Sequence, residues 1–151
     1  MPEKRTMERA RRDKRQGKAP STQAGEFVRE EMEHIRRGKH GAKSSKQAIA
    51  IGLSKARRAG VKLPPPRRGT TSEKTRRSAA SAYRKGQRHQ PVNQRRSEAR
   101  SKALRKEGRA AASHKALSRQ ARSAARKRGS GNRRSAARKA AATRSRARAR
   151  R

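Results

Sequence analysis

Large apolar side chains are scarce in this chain and gathered in one place, which limits its folding more than any other feature. Val, Ile, Leu, Met, Phe and Tyr together number fifteen in 151 residues; nine lie between Phe27 and Leu63, and only Tyr83, Val92, Leu104 and Leu117 follow residue 66. A chain with so little apolar surface to bury cannot offset the entropy of ordering its whole length. One small folded unit is expected, with the remainder disordered.

Residues 44–60, SSKQAIAIGLSKARRAG, carry both ends of a helix and apolar residues at helical spacing. Ser44 followed by Gln47 fits a capping box, and Gly60 supplies a left-handed stop. Lys55, Arg57 and Arg58 complement the negative end of the helix dipole. Ile49, Leu53 and Ala56 share one face. Ile51 lies about 200° round from Ile49, so either the helix is contacted on two sides or Ile51 awaits a partner. Upstream, Ala24, Phe27, Val28, Met32 and Ile35 predict a second amphipathic helix after a cap at Ser21 or Thr22, with Glu33 and Arg37 paired across one turn and Gly38 as its end.

The six-residue connection GKHGAK folds these two helices into an antiparallel hairpin. Phe27, Val28, Met32 and Ile35 then face Ile49 and Leu53 as its core. The expected fold is all-α: a two-helix hairpin, over about 22–37 and 45–59, within a unit spanning 21–63. Residues 1–20 read as a basic arm without a sustained apolar stripe. Pro64, Pro65 and Pro66 open a Pro/Gly linker over 64–71. Residues 72–151 read as a mostly disordered Arg/Ala/Ser-rich tail whose helical propensity is opposed by like-charge repulsion. Nine large side chains make a marginal core, so stabilisation by ligand or by self-association through Ile51 is expected.

The net charge is +38, from 48 basic and 10 acidic residues. Residues 67–151 hold 30 of the bases and three of the acids. Such a tail repels itself until a polyanion neutralises it, which points to nucleic acid as partner. Arginine outnumbers lysine 33 to 15, and guanidinium forks match phosphate oxygens in two-pronged fashion. With Phe27 assigned to the core, Tyr83 alone remains as an aromatic platform, so duplex backbone contacts are expected over base stacking, and DNA over RNA. The densest run of expected phosphate contacts is Arg122, Arg126, Lys127, Arg128, Arg133, Arg134, Arg138 and Lys139, continued by Arg144, Arg146 and Arg148.

Other chemistry finds little support in the sequence. No cysteine is present, which removes disulfides and thiolate metal sites. His34 and His40 flank a flexible turn without a carboxylate or cysteine at ligand spacing, so no metal and no cofactor are expected. No serine sits in GxSxG and no phosphate-binding loop occurs. The chain reads as a non-enzyme, without a secretory signal or membrane span, located in the cytoplasm on the nucleoid. An RNA- or ribosome-associated role would use the same charges. A hairpin that docks a protein through Ile51, with a tail that only localises it, is the alternative from another class.

The run Ser45–Gly60, SKQAIAIGLSKARRAG, resembles the signature of an uncharacterised family of small basic bacterial proteins, known as a domain of unknown function. The resemblance covers about residues 25–62 and implies a bacterial origin but no site residues. Gly52 stands where that signature has alanine, and a mid-helix glycine costs about 1 kcal/mol. The tail is similar in composition to bacterial histone-H1-like tails, though richer in arginine and without their regular repeats.

Overall fold

The computed structural model describes residues 2–127 and 129–149. Among these the helices are α1 (Lys4–Arg15), α2 (Pro20–Arg36), α3 (Ser45–Arg58), α4 (Glu73–Gln87), α5 (Gln94–Arg105), α6 (His114–Lys127) and α7 (Gly129–Ala149), with a 3-10 turn at Ala110–Ala112. The chain forms two compact units, Met1–Ser113 and His114–Arg151. The all-α expectation stands, but a two-helix hairpin with a disordered tail does not: helices run on both sides of the hairpin and through the described tail.

In the first unit α1 packs on α2, α2 on α3 and α3 on α4, while the 3-10 turn lies against α2 and α3. The basic arm is therefore part of the packed structure. Its buried positions are Thr6, Ala10 and Asp13, at helical spacings of four and three. Ala10 joins Ala24, Phe27, Ala56 and Val61 in one cluster, with Met7 and Leu53 packed against it. A stripe of Thr, Ala and Asp is invisible to a search for large apolar residues.

α2 starts on Pro20 with no side-chain cap, so the fixed φ of proline opens the helix where Ser21 or Thr22 was expected to cap it. Phe27, Met32 and Ile35 are buried as expected, and Val28 is half-buried. In α3 the Ser44 hydroxyl accepts from the Gln47 N–H at 3.2 Å, while the Gln47 side-chain oxygen accepts from the N–H of Lys43, one residue before the capping-box position. The buried stripe of α3 is Ser45, Ala48, Gly52 and Ala56; Ile49 and Leu53 flank it half-buried. Small residues make this seam because the backbones nearly touch: a Cβ on Gly52 would lie 2.7 Å from the Val28 Cα. The residue expected to weaken α3 is the one that this approach requires.

Gly60, at φ +88°, closes α3. Its N–H bonds to the Arg57 carbonyl and that of Val61 to the Ala56 carbonyl, both at 3.1 Å, which is the Schellman pattern. Arg57 is buried and donates to the Leu63 and Pro64 carbonyls at 3.2 and 3.3 Å, pinning the start of the proline segment; burial lowers its pKa.

The tail contributes to the same unit. Ser72 caps α4 by accepting from the Thr75 N–H at 3.2 Å, and α4 buries Ala79, Ala82 and Gly86. A Cβ on Gly86 would sit 1.8 Å from the Arg57 carbonyl oxygen. Farther on, the Gly41 N–H bonds to the Leu104 carbonyl and the Ala42 N–H to the Gly108 carbonyl, at 2.9 and 3.0 Å. Ala111 and Ala112 are buried, and the Ala112 carbonyl accepts from Arg36 at 3.0 Å. The disorder expectation fails here because alanine and glycine permit close helix approach without large side chains, and because alanine and arginine favour helix. With α2 and α4 both against α3, that helix is contacted on two sides, and Ile51 is half-buried.

In the second unit α7 follows α6 and touches it without burying a described side chain of its own. Leu117, Gln120 and Ala124 of α6 are half-buried, whereas the described side chains of α7 are all exposed.

Candidate nucleic-acid interface

No acidic residue follows Glu107 in the sequence. The cations from Lys115 onward therefore stand without an acidic side chain near them along the chain. Arg122, Arg126 and Lys127 are exposed on α6; Arg134, Arg138, Lys139, Arg144, Arg146 and Arg148 are exposed on α7. Arg133 lies on α7 with its side chain outside the description, and Arg128 lies outside the described residues. Arg134 and Arg138 share a face, Lys139 and Arg146 lie about a third of a turn round from them, and Arg144 and Arg148 lie on the side opposite Lys139 and Arg146, so α7 is cationic around its circumference. Helical order spaces these guanidinium groups at fixed intervals, where an unfolded tail would leave them unspaced.

A second cationic element lies outside the expected run. α5 buries no residue and exposes Arg95, Arg96, Arg100, Lys102 and Arg105, with Glu98 as its only acid. It follows the Asn93 cap, whose side chain accepts from the Arg96 N–H at 3.0 Å. That Asn cap was the legible signal.

Away from these helices, four of the chain's ten acids, Glu3, Glu30, Glu31 and Glu33, gather around the second half of α2. Gly38 closes α2 with the same pair of bonds that closes α3: Gly38 N–H to the Ile35 carbonyl at 3.1 Å and Lys39 N–H to the His34 carbonyl at 3.0 Å. This turn brings Lys39 and His40 back over the last turns of the helix. Lys39 reaches the Glu3 carboxylate at 2.9 Å, and His34 donates through Nε2 to the same oxygen at 2.8 Å. Glu30 accepts weakly from the Glu3 backbone N–H at 3.3 Å and lies 3.8 Å from His34. The His34 hydrogen bond, followed by Lys39, lowers the Glu3 pKa from 4.5 to about 2.

Deeper in, Glu31 is fully buried between His40, at 3.0 Å from Oε1, and Lys55, at 2.6 Å from Oε2. Neither contact has hydrogen-bond geometry; Lys55 faces the carboxylate as a charge, and His40 does so only in its protonated form. The His34 and His40 rings meet edge to face with centroids 6.1 Å apart. Ligand atoms of Glu31, His34 and His40 lie within 4.8 Å of one another, as do those of Glu3, Glu30 and His34. The premise that these histidines lack a carboxylate at ligand spacing is thus corrected. Glu30 and Glu31 precede His34 by four and three residues, which on a helix is one face, and that spacing was readable.

The hairpin residue expected to meet a partner, Ile51, is half-buried; among the described residues, Val92 is the large apolar side chain left exposed. No described helix is long and apolar enough to cross a membrane. Residues 3–67 match the model of a family described as Family of unknown function (DUF6496), a span that runs from the start of α1 through α3 into the proline segment. No curated protein and no solved structure matches the chain.

Proposed function

We propose that this protein binds nucleic acid without catalysis, coating duplex DNA through phosphate contacts and with little regard for sequence, as a nucleoid-associated protein does. The observation that carries the reading is the acid-free run after Glu107, presented on the exposed surfaces of α6 and α7. Arginines there offer paired donors to phosphate oxygens. Backbone phosphates position a protein but carry no base identity, and the exposed surface of α7 has no aromatic side chain with which to stack on bases.

Crosslinking in cells, followed by separate recovery of DNA and RNA at physiological salt, tests this. Broad recovery of duplex DNA without a common motif is expected. Enrichment of ribosomal RNA instead would assign the cationic helices to a ribosome-associated role and overturn the DNA reading.

A further inference from the structure

We infer that Glu31, His34 and His40 form a binding site for a divalent cation of the zinc class. A chain of net charge +38 places five of its ten acids, Glu3, Glu26, Glu30, Glu31 and Glu33, on α2 or just before α1, and it buries Glu30 and Glu31. A carboxylate taken out of water needs a cation and good hydrogen bonds to offset its lost hydration. Glu31 has Lys55 and His40 nearby but no hydrogen bond of proper geometry to either oxygen, although both oxygens are sealed from solvent.

The hydrogen bonding of His40 sharpens the point. Its Nδ1 faces the Gly41 carbonyl at 3.1 Å, and a carbonyl only accepts, so Nδ1 carries the hydrogen. In the neutral ring Nε2 then presents a lone pair to Glu31 Oε1, 3.0 Å away. Two lone pairs at that separation repel unless a proton or a metal cation lies between them, and the contact lacks the geometry of a hydrogen bond. A ligating histidine commonly donates its other ring N–H to a backbone carbonyl, which fixes the tautomer; His40 is already set in that way. Glu31 ligates through Oε1, because Lys55 holds Oε2 and serves as the carboxylate's outer partner.

Two imidazoles and a carboxylate make a set that suits zinc and its neighbours in the first transition row. Bond lengths of roughly 2.0–2.2 Å in a tetrahedral site put ligand atoms about 3.4 Å apart. Here the His40–Glu31 pair stands at 3.0 Å and the three ligand atoms lie within 4.8 Å. Side-chain movement of up to about 1.4 Å closes the set, and a water would complete a four-coordinate site.

The test uses the full chain, stripped with a chelator and titrated with Zn²⁺ by calorimetry, with Co²⁺ as a spectroscopic substitute. Saturable binding of one ion per chain is expected, with the visible absorption of tetrahedral Co²⁺ bound by nitrogen and oxygen. His40→Ala, at a half-exposed turn, should weaken Zn²⁺ binding by about a hundredfold or more, since loss of a supporting partner alone costs 10–100-fold. His114→Ala, on α6, should leave it unchanged. Absence of one-to-one binding in the unmodified protein, or His40→Ala binding as tightly as the unmodified protein, overturns the site.

Discussion

At the scale of single residues, Glu3 ties the start of the chain to the end of α2. It stands on the surface, yet the His34 N–H and the Lys39 ammonium hold its pKa down to about 2 from the ordinary 4.5. A carboxyl whose pKa is lower folded than unfolded stabilises the fold fully above the unfolded value and loses that contribution as pH falls through the folded one. The window here runs from about 4.5 down to about 2. In chelator-containing buffer, melting temperature should fall across that window, and Glu3→Gln should make the fall shallower while lowering stability at neutral pH. An identical pH profile for the variant would show that the Glu3 contacts contribute nothing. Since an exposed pair is screened by solvent, the profile's shape is the measurement that counts.

At the scale of elements, the α2–α3 seam separates what a sequence displays from what it conceals. The cap at Ser44, the stops at Gly38 and Gly60, and the core roles of Phe27, Met32 and Ile35 were legible, because each rests on local chemistry or on large residues at helical spacing. The true seam of α3 was concealed: Ser45, Ala48, Gly52 and Ala56 are small, and it is backbone proximity that buries them. α1 and α4 were missed for the same reason, since Thr6, Ala10, Ala79, Ala82 and Gly86 carry little apolar weight. The α5 cations and the Glu31–His34–His40 cluster were missed differently: the residues were in view, but only the turn at Gly38 brings His40 to Glu31. Gly52→Ala tests the tightness of the seam. Helix propensity alone predicts a gain of about 1 kcal/mol, whereas a Cβ 2.7 Å from the Val28 Cα forces the helices apart, at a typical overpacking cost of about 1–3 kcal/mol. Net destabilisation in chemical denaturation is expected; a more stable variant would mean that α2 and α3 are not in backbone contact.

At the scale of the whole molecule, charge is partitioned in the sequence as sharply as the fold is. The acids neutralise and position within the first unit, and the second unit carries none. A basic chain of this size associates with any polyanion, so retention on DNA is a weak criterion; the number of phosphates that particular helices neutralise is a strong one. Each phosphate contact to duplex DNA releases counterions and contributes about 0.9 to the slope of log affinity against log salt. Replacing Arg134, Arg138, Lys139 and Arg144 with alanine in the full chain should lower that slope by up to about 3.6, from four contacts at about 0.9 each. The control replaces Lys4, Arg5, Arg11 and Arg12, four equally exposed cations on α1, and so removes the same charge from the other unit. If α7 is the interface, the control slope stays near that of the unmodified protein while the α7 variant falls. Equal slopes for the two variants would mean that the charge acts as a diffuse total, and that the helical spacing of the α7 guanidinium groups has no part in binding.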